Sequence, residues 1–313
     1  MRKQMERKYE LLKNETFDLY GKTLYRIRAT EKFEDVSEGE KGGYIESYDN
    51  LTDNAWVADD AKVCDNARVS GTAIVRDNAL VIANAQVTGE AIVGDSVTVS
   101  GNAIVSGCAT VRDNARVTGG ARVFDSARVT GEALVDGNAV VYNRALVGGS
   151  AVVCGNAQAS GNARVADSAT VSGNARVIGN AIVTGNAWAL GISVVRGAAT
   201  VDGNAVVTDA ATVSGNANVT GKARVSCDAL IDGNAQLSDA EDVLTISLHG
   251  YNYNSITFFK CDDAKIRVIA GDFRGTIDEF AAEVEQLKHE MVYNLAVKMA
   301  KQTIKIETED ESK

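Results

Sequence analysis

The sequence predicts an all-β solenoid, a chain of short strands wound into triangular coils. Three observations carry that reading. A six-residue period runs without insertion or deletion from Ala55 to Leu237, the 313 residues include no proline, and aromatic residues make up 6% of a chain that is 45% hydrophobic. Ordinary usage would supply roughly 15 prolines in this length. Proline lacks an amide donor and is confined to turns, edges and first helical turns, so its absence points to a backbone whose N–H groups are nearly all engaged. A core poor in rings and rich in alanine and valine is thin, which disfavours a sandwich or a doubly wound sheet.

The period can be justified position by position. A small residue stands at 55, 61, 67 and onward to 235, with only Val97 and Ser193 not alanine. Two places later an aliphatic slot runs from 57 to 237 through 31 hexads, and only Ala159, Ala189, Ile231 and Leu237 in it are not valine. Residues two apart on a strand share a face, so alanine and valine point inward together and the residue between them points outward. The Gly-Asn or Asp-Asn pair that closes each hexad is turn chemistry, because these residues tolerate backbone angles that others resist. Three bends close a coil of 18 residues, and 31 hexads make about ten coils. At a strand spacing of about 4.8 Å the expected prism is roughly 50 Å long.

The flanks differ from the repeat, which divides the chain into residues 1–50, 51–243 and 244–313. Solenoid ends expose unpaired edges and need caps. The first segment reads as a strand-rich cap with short strands around Gly21-Lys22, and Gly42-Gly43 is expected to be a tight turn, since a double glycine without a following helix is a poor phosphate cradle. In the last segment, Leu244–Leu248, Ser255–Cys261 and Lys265–Ala270 read as strands. Thr276 and Glu279 stand in capping-box spacing, and Phe280, Val284, Leu287, Met291 and Leu295 fall on one helical face. The expected module is β-β-β-α.

Composition narrows the function. A net charge of −10 argues against general nucleic-acid binding. The five cysteines, Cys64, Cys108, Cys154, Cys227 and Cys261, form no C-x-x-C pair, which suggests a reducing compartment with neither a disulfide framework nor a zinc ribbon. No apolar run is long enough for a membrane span, and Met1 to Lys8 lack the apolar stretch of a signal peptide. A cytoplasmic protein without cofactor is expected.

The hexads, as in Gly101-Asn102-Ala103-Ile104-Val105-Ser106, resemble the hexapeptide-repeat family. That resemblance implies a left-handed parallel β-helix, often assembled as a homotrimer. Leu24–Ala29 with Gly42–Glu46, then Phe258-Phe259 and Phe273–Phe280, are similar to the YdcK-like group and its phage and prophage relatives. Enzymes of the hexapeptide-repeat family use a histidine base, or three histidines on zinc. Here the only histidines are His249 and His289, outside the repeat. No loop leaves the solenoid to build an acyl-donor pocket, so catalysis is not expected. An acyltransferase with an unconventional base, or a structural assembly component, are the alternatives. An ice-binding surface would need outward Thr-x-Thr ladders, and the outward pairs are mixed.

Sorting outward residues by the 18-residue coil gives three faces. One carries Ile104, Arg122, Phe124, Val140, Tyr142 and Arg176; a second carries Arg76, Thr110, Arg112, Arg128, Leu146 and Arg164; the third carries Leu80, Leu134, Val152, Trp188, Leu190 and Val206. Apolar strips on the first or third face are expected to join subunits. Arg112, Arg116, Arg122 and Arg128 make a local basic belt, facing Asp113 and Asp125. Arginine's planar fork suits phosphate, and Phe124 and Tyr142 are placed to stack on a base. The expected role is a non-catalytic scaffold of a bacterial host's cytoplasm that holds a small phosphorylated ligand, such as a nucleotide signal in counter-defence, or occludes a host protein. The expected ligand residues are Arg112, Arg116, Arg122, Phe124, Arg128, Tyr142 and Arg164, with no metal.

Overall fold

The hexad becomes a two-residue strand and a four-residue corner. In the computed structural model, which describes residues 7–248, 251–285, 287 and 289–306, strands such as Ile104–Val105 and Arg122–Val123 pair in parallel, in register, one coil apart. Two compact units are present, Met1–Asn156 and Ala157–Lys313.

In the first unit the cap is a hairpin, Tyr9–Leu19 paired antiparallel with Lys22–Ala29. Its turn residues Tyr20 and Gly21 both have positive φ. A third strand, Lys41–Ile45, pairs antiparallel with the second and in parallel with Lys62–Val63, so it converts one type of sheet into the other. Leu24, Ile27 and Ile45 are fully buried beneath the cap. Gly42 and Gly43 lie within this strand and make no tight turn: a Cβ on Gly43 would come within 2.5 Å of the Ala61 carbonyl oxygen. The double glycine lets the cap strand press flat against the first coil.

The solenoid also starts earlier than its alanines suggest. Ile45 pairs with Val63 and Leu51 with Val69, each one coil further along the chain, so both occupy the aliphatic slot ahead of Val57. These rungs bring the total to about eleven coils, against the ten expected. Beyond them, each rung of the first unit repeats one geometry. Val93, Val99 and Val105 with Ala91, Val97 and Ala103 fill one coil and are wholly buried. Burying a valine side chain fully is worth about 1.5–3 kcal/mol, and the stacked column supplies this at every rung.

The backbone accounts for the missing prolines. In the hexad Ala103–Cys108, the amides of Ile104, Ser106 and Cys108 donate to Ala121, Val123 and Asp125 of the next coil, and Ala103 donates back to Ser100. Val105 sits in the strand ladder. The fifth position holds positive φ, +66° at Gly107 and +63° at Asp113, which proline's ring forbids. Where aspartate takes this corner its carboxylate accepts the corner amide one coil on, as Asp95 does from Asp113 at 2.9 Å and Asp113 from Gly131 at 2.7 Å. Asparagine closes the hexad for a similar reason: Asn66 donates to Asn84 and Asn84 to Asn102, both at 3.1 Å, in a side-chain ladder.

A glycine corner is constrained more tightly. A Cβ on Gly119 would lie 2.8 Å from the Gly137 amide nitrogen, whereas one on Gly233 would meet nothing within 4 Å. Both have positive φ. Gly233→Ala is expected to cost the left-handed strain alone, about 1–2 kcal/mol, and Gly119→Ala measurably more. Equal losses in urea denaturation would show that coil-to-coil contact does not select glycine at these corners.

The second unit is built in the same way, with outward residues stacked in rows, for example Thr170, Trp188, Val206 and Arg224. Ser193 replaces the usual alanine and is fully buried, with its hydroxyl unpaired among the described residues. An unsatisfied buried hydroxyl costs about 1–3 kcal/mol. Ser193→Ala is therefore expected to raise stability by about 1 kcal/mol, read as a higher thermal midpoint; a lower midpoint would contradict it.

The C-terminal module departs from the expected β-β-β-α order. Val243–Ser247, Ser255–Lys260 and Ile266–Ala270 form an antiparallel sheet, and Phe273–Thr276 adds a fourth strand. Helix α1, Ile277–Val284, starts at the Thr276–Glu279 capping box, and α2 spans Glu290–Thr303. The expected single helical face is broken because His289 leaves helical geometry, with φ −167° and ψ 31°. Tyr293, Ala296, Val297 and Ala300 then turn inward, while Met291 and Leu295 are exposed. One side of the sheet packs Ile256, Phe258 and Val268 against Phe280 and Tyr293. Its other side covers the last coil through the Ala235–Cys261 bridge and Leu230 N–H to Thr257 Oγ1.

Candidate functional site

Each outward residue stands on a rung fixed by the hexad, so its neighbours are its equivalents in the coils before and after. On the first face Arg122 lies opposite Val140, and Phe124 and Tyr142 occupy the next outward position. Their rings stack at 5.2 Å between centroids and 15° between planes. The Arg122 Cζ lies 5.3 Å from the Phe124 centroid, a cation–π contact. Arginine and two rings therefore form one cluster.

The other arginines lie elsewhere. Arg128 pairs with Thr110 on the second face, and Arg112 is on the same face with its Nε buried and, among the described residues, without a hydrogen-bond partner. Arg116 stands on the third face between Thr98 and Leu134. Arg164 belongs to the second unit, paired with Ile182. The belt is thus continuous in sequence but divided among faces.

Asp113 and Asp125 do not answer these arginines. Their carboxylates accept the amides of Gly131 and Asn143, because a corner residue with positive φ directs its side chain toward the next coil. Among the described residues no carboxylate lies within ion-pair distance of Arg112, Arg122 or Arg128. Near Arg116, the Asp136 carboxyl is held below the usual range chiefly by the Thr118 hydroxyl and then by the Gly137 amide, with Arg116 a smaller influence. Asp167 is lowered in the same way by Thr184 and Gly185, with Arg164 contributing less.

Within the repeat, the large apolar side chains most exposed among the described residues are Trp188 on the third face, at 49%, and Ile192 at the adjoining corner, at 58%. Val206 lies directly against Trp188.

Four of the five thiols, Cys64, Cys108, Cys154 and Cys261, are poor nucleophiles by placement. Cys64 stands at an outward position of its hexad but is buried, and desolvation raises its pKa. Burial likewise raises Cys154 and pushes Cys261 up to about 11, while a hydrogen bond to Glu90 raises Cys108. A thiol in this state holds little thiolate near neutrality. His289 precedes α2 and packs edge-on against Tyr251; His249 and Lys288 lie outside the described residues, as do Met1 to Glu6. One cluster escaped the sequence reading: donor atoms of Glu46, Cys64 and Asp65 lie within 4.8 Å of one another. The Lys22 ammonium already pairs with Asp65 and lies 3.8 Å from Glu46, so it supplies the cation there. Only the cap hairpin brings these four together, and no sequence spacing announces it.

Parallel rungs in one-coil register, outward residues in three rows and a capped end define a parallel β-solenoid repeat protein. A family model described as the YdcK Beta solenoid repeat matches residues 157–173 and 169–185, so this stretch of the solenoid is similar to that repeat. No curated protein matches the chain.

Proposed function

We propose that this protein is a non-catalytic solenoid scaffold, a homotrimer of the bacterial cytoplasm, that holds a small phosphorylated ligand against the Arg122 face. The observation carrying this reading is the Arg122–Phe124–Tyr142 cluster: a guanidinium with no carboxylate partner among the described residues, beside two stacked rings. The guanidinium offers a phosphate a planar fork. The outer ring surfaces offer a base a stacking platform worth about 1–3 kcal/mol. The apolar strip at Trp188 and Val206 supports side-by-side association. The poor nucleophilicity of Cys64, Cys108, Cys154 and Cys261 favours binding over acyl transfer.

Calorimetric titration with mononucleotides and cyclic dinucleotides tests the proposal. Arg122→Ala is expected to weaken binding at least tenfold, and Tyr142→Ala by a similar factor. Absence of binding to every phosphorylated probe, or unchanged binding by both variants, would refute it. Acetyl-CoA turnover by the parent protein would favour an acyltransferase instead.

A further inference from the structure

The last coil leaves donors that its cap does not satisfy. In the coil beneath, the amides of Thr212, Ser214 and Asn216 donate upward to Ala229, Ile231 and Gly233. The equivalent amides of the last coil belong to Leu230, Asp232 and Asn234. Leu230 N–H is taken by Thr257 Oγ1 at 3.1 Å. The N–H groups of Asp232 and Asn234 have no partner among the described residues. By the repeat they point to where the next coil would lie.

That space is a cleft of about 410 Å³, in the size range of small-ligand sites. Opposite the Asp232–Asn234 corner stands the solenoid-facing side of the C-terminal sheet. Arg274 pairs directly with Ile269, so it shares a side with Ile269 and Arg267, while Val268 belongs to the core on the helix side. The Arg267 guanidinium is held by Asp263. Among the described residues Arg274 donates only to the carbonyls of Gly271 at 2.9 Å and Phe273 at 3.3 Å. Phe259 and Ile269 supply apolar lining.

The charges select among anions. Two guanidinia and two free amides favour an acceptor bearing negative charge. Asp232 and Asp262 also line the cleft, and the Asp232 carboxylate is occupied by Gly233 N–H at 2.8 Å. Two nearby carboxylates oppose a second negative charge on the ligand, which disfavours a phosphate dianion.

We infer that this cleft binds a small organic monocarboxylate, its carboxylate between Arg274 and the amides of Asp232 and Asn234 and its apolar body against Phe259 and Ile269. The site is separate from the Arg122 face, and either can fail without the other.

Amide-resolved NMR titration of the full chain with hexanoate, hexanamide and inorganic phosphate tests the assignment. Hexanoate is expected to shift the Asp232 and Asn234 amides saturably, hexanamide to leave them in place, and phosphate to bind more weakly than hexanoate. Arg274→Ala is expected to weaken hexanoate at least tenfold. Arg274→Gln, which keeps a donor for the Gly271 carbonyl, should do the same while guarding against a local folding defect. No saturable shift, equal response to hexanamide, tighter binding of phosphate, or undiminished binding by both variants would overturn it.

Discussion

Replacing Arg122 with proline is expected to destabilise the first unit by about 3 kcal/mol or more, although the side chain itself points to solvent. The Arg122 amide donates to the Ala139 carbonyl at 2.9 Å. Proline removes that donor, leaves the carbonyl unpaired and forces its ring against the rung above. Arg122→Ala keeps the amide and is expected to stay within about 0.5 kcal/mol of the parent. The pair therefore separates backbone from side chain at one position. Denaturant unfolding followed by circular dichroism reads both, and a proline variant as stable as the alanine variant would contradict the ladder argument.

One residue along, Val123→Asp is expected to cost about 3–5 kcal/mol and to abolish the folded first unit at ordinary temperature. Val123 is fully buried, with Val105 below and Val141 above it in the same column. A carboxylate there would have neither solvent nor a cation, and the column contains no polar group to turn toward. Val123→Ala makes a cavity instead and should cost less, about 1–3 kcal/mol. Limited proteolysis checks the ranking: cleavage within the solenoid should be fast for the aspartate variant and intermediate for the alanine variant. Resistance of the aspartate variant equal to the parent would mean that the column interior is wetter than its burial indicates.

Much of this architecture was legible because a repeat states its own pairing. Once Val57, Val75 and Val93 are seen in one slot, the coil register follows and assigns Arg122, Phe124 and Tyr142 to one face. The ring stack was therefore within reach of the sequence. Ile45 and Leu51 were missed because Gly43 and Asp49, two places before them, break the alanine signal; the cap presses so closely at Gly43 that no side chain fits. Corner aspartates were misread as counter-charges because sequence spacing does not reveal that positive φ points them toward the next coil. The helix break at His289 and the cleft at Arg274 depend on how distant segments meet. Neither leaves a periodic trace.

Repetition also creates a hazard. A chain paired one full coil out of place would recover nearly every valine column, asparagine ladder and rung, since each position meets its own kind again in every coil. Within the repeat, correct and shifted pairings thus differ by little more than the loss of a rung set at an end. The caps remove this ambiguity because their partners occur once: Tyr44 with Lys62, Trp56 against Phe33, and Ala235 with Cys261. Beyond covering open edges, the flanking segments serve as the molecule's reading frame, making one pairing of an almost degenerate chain distinct from its neighbours.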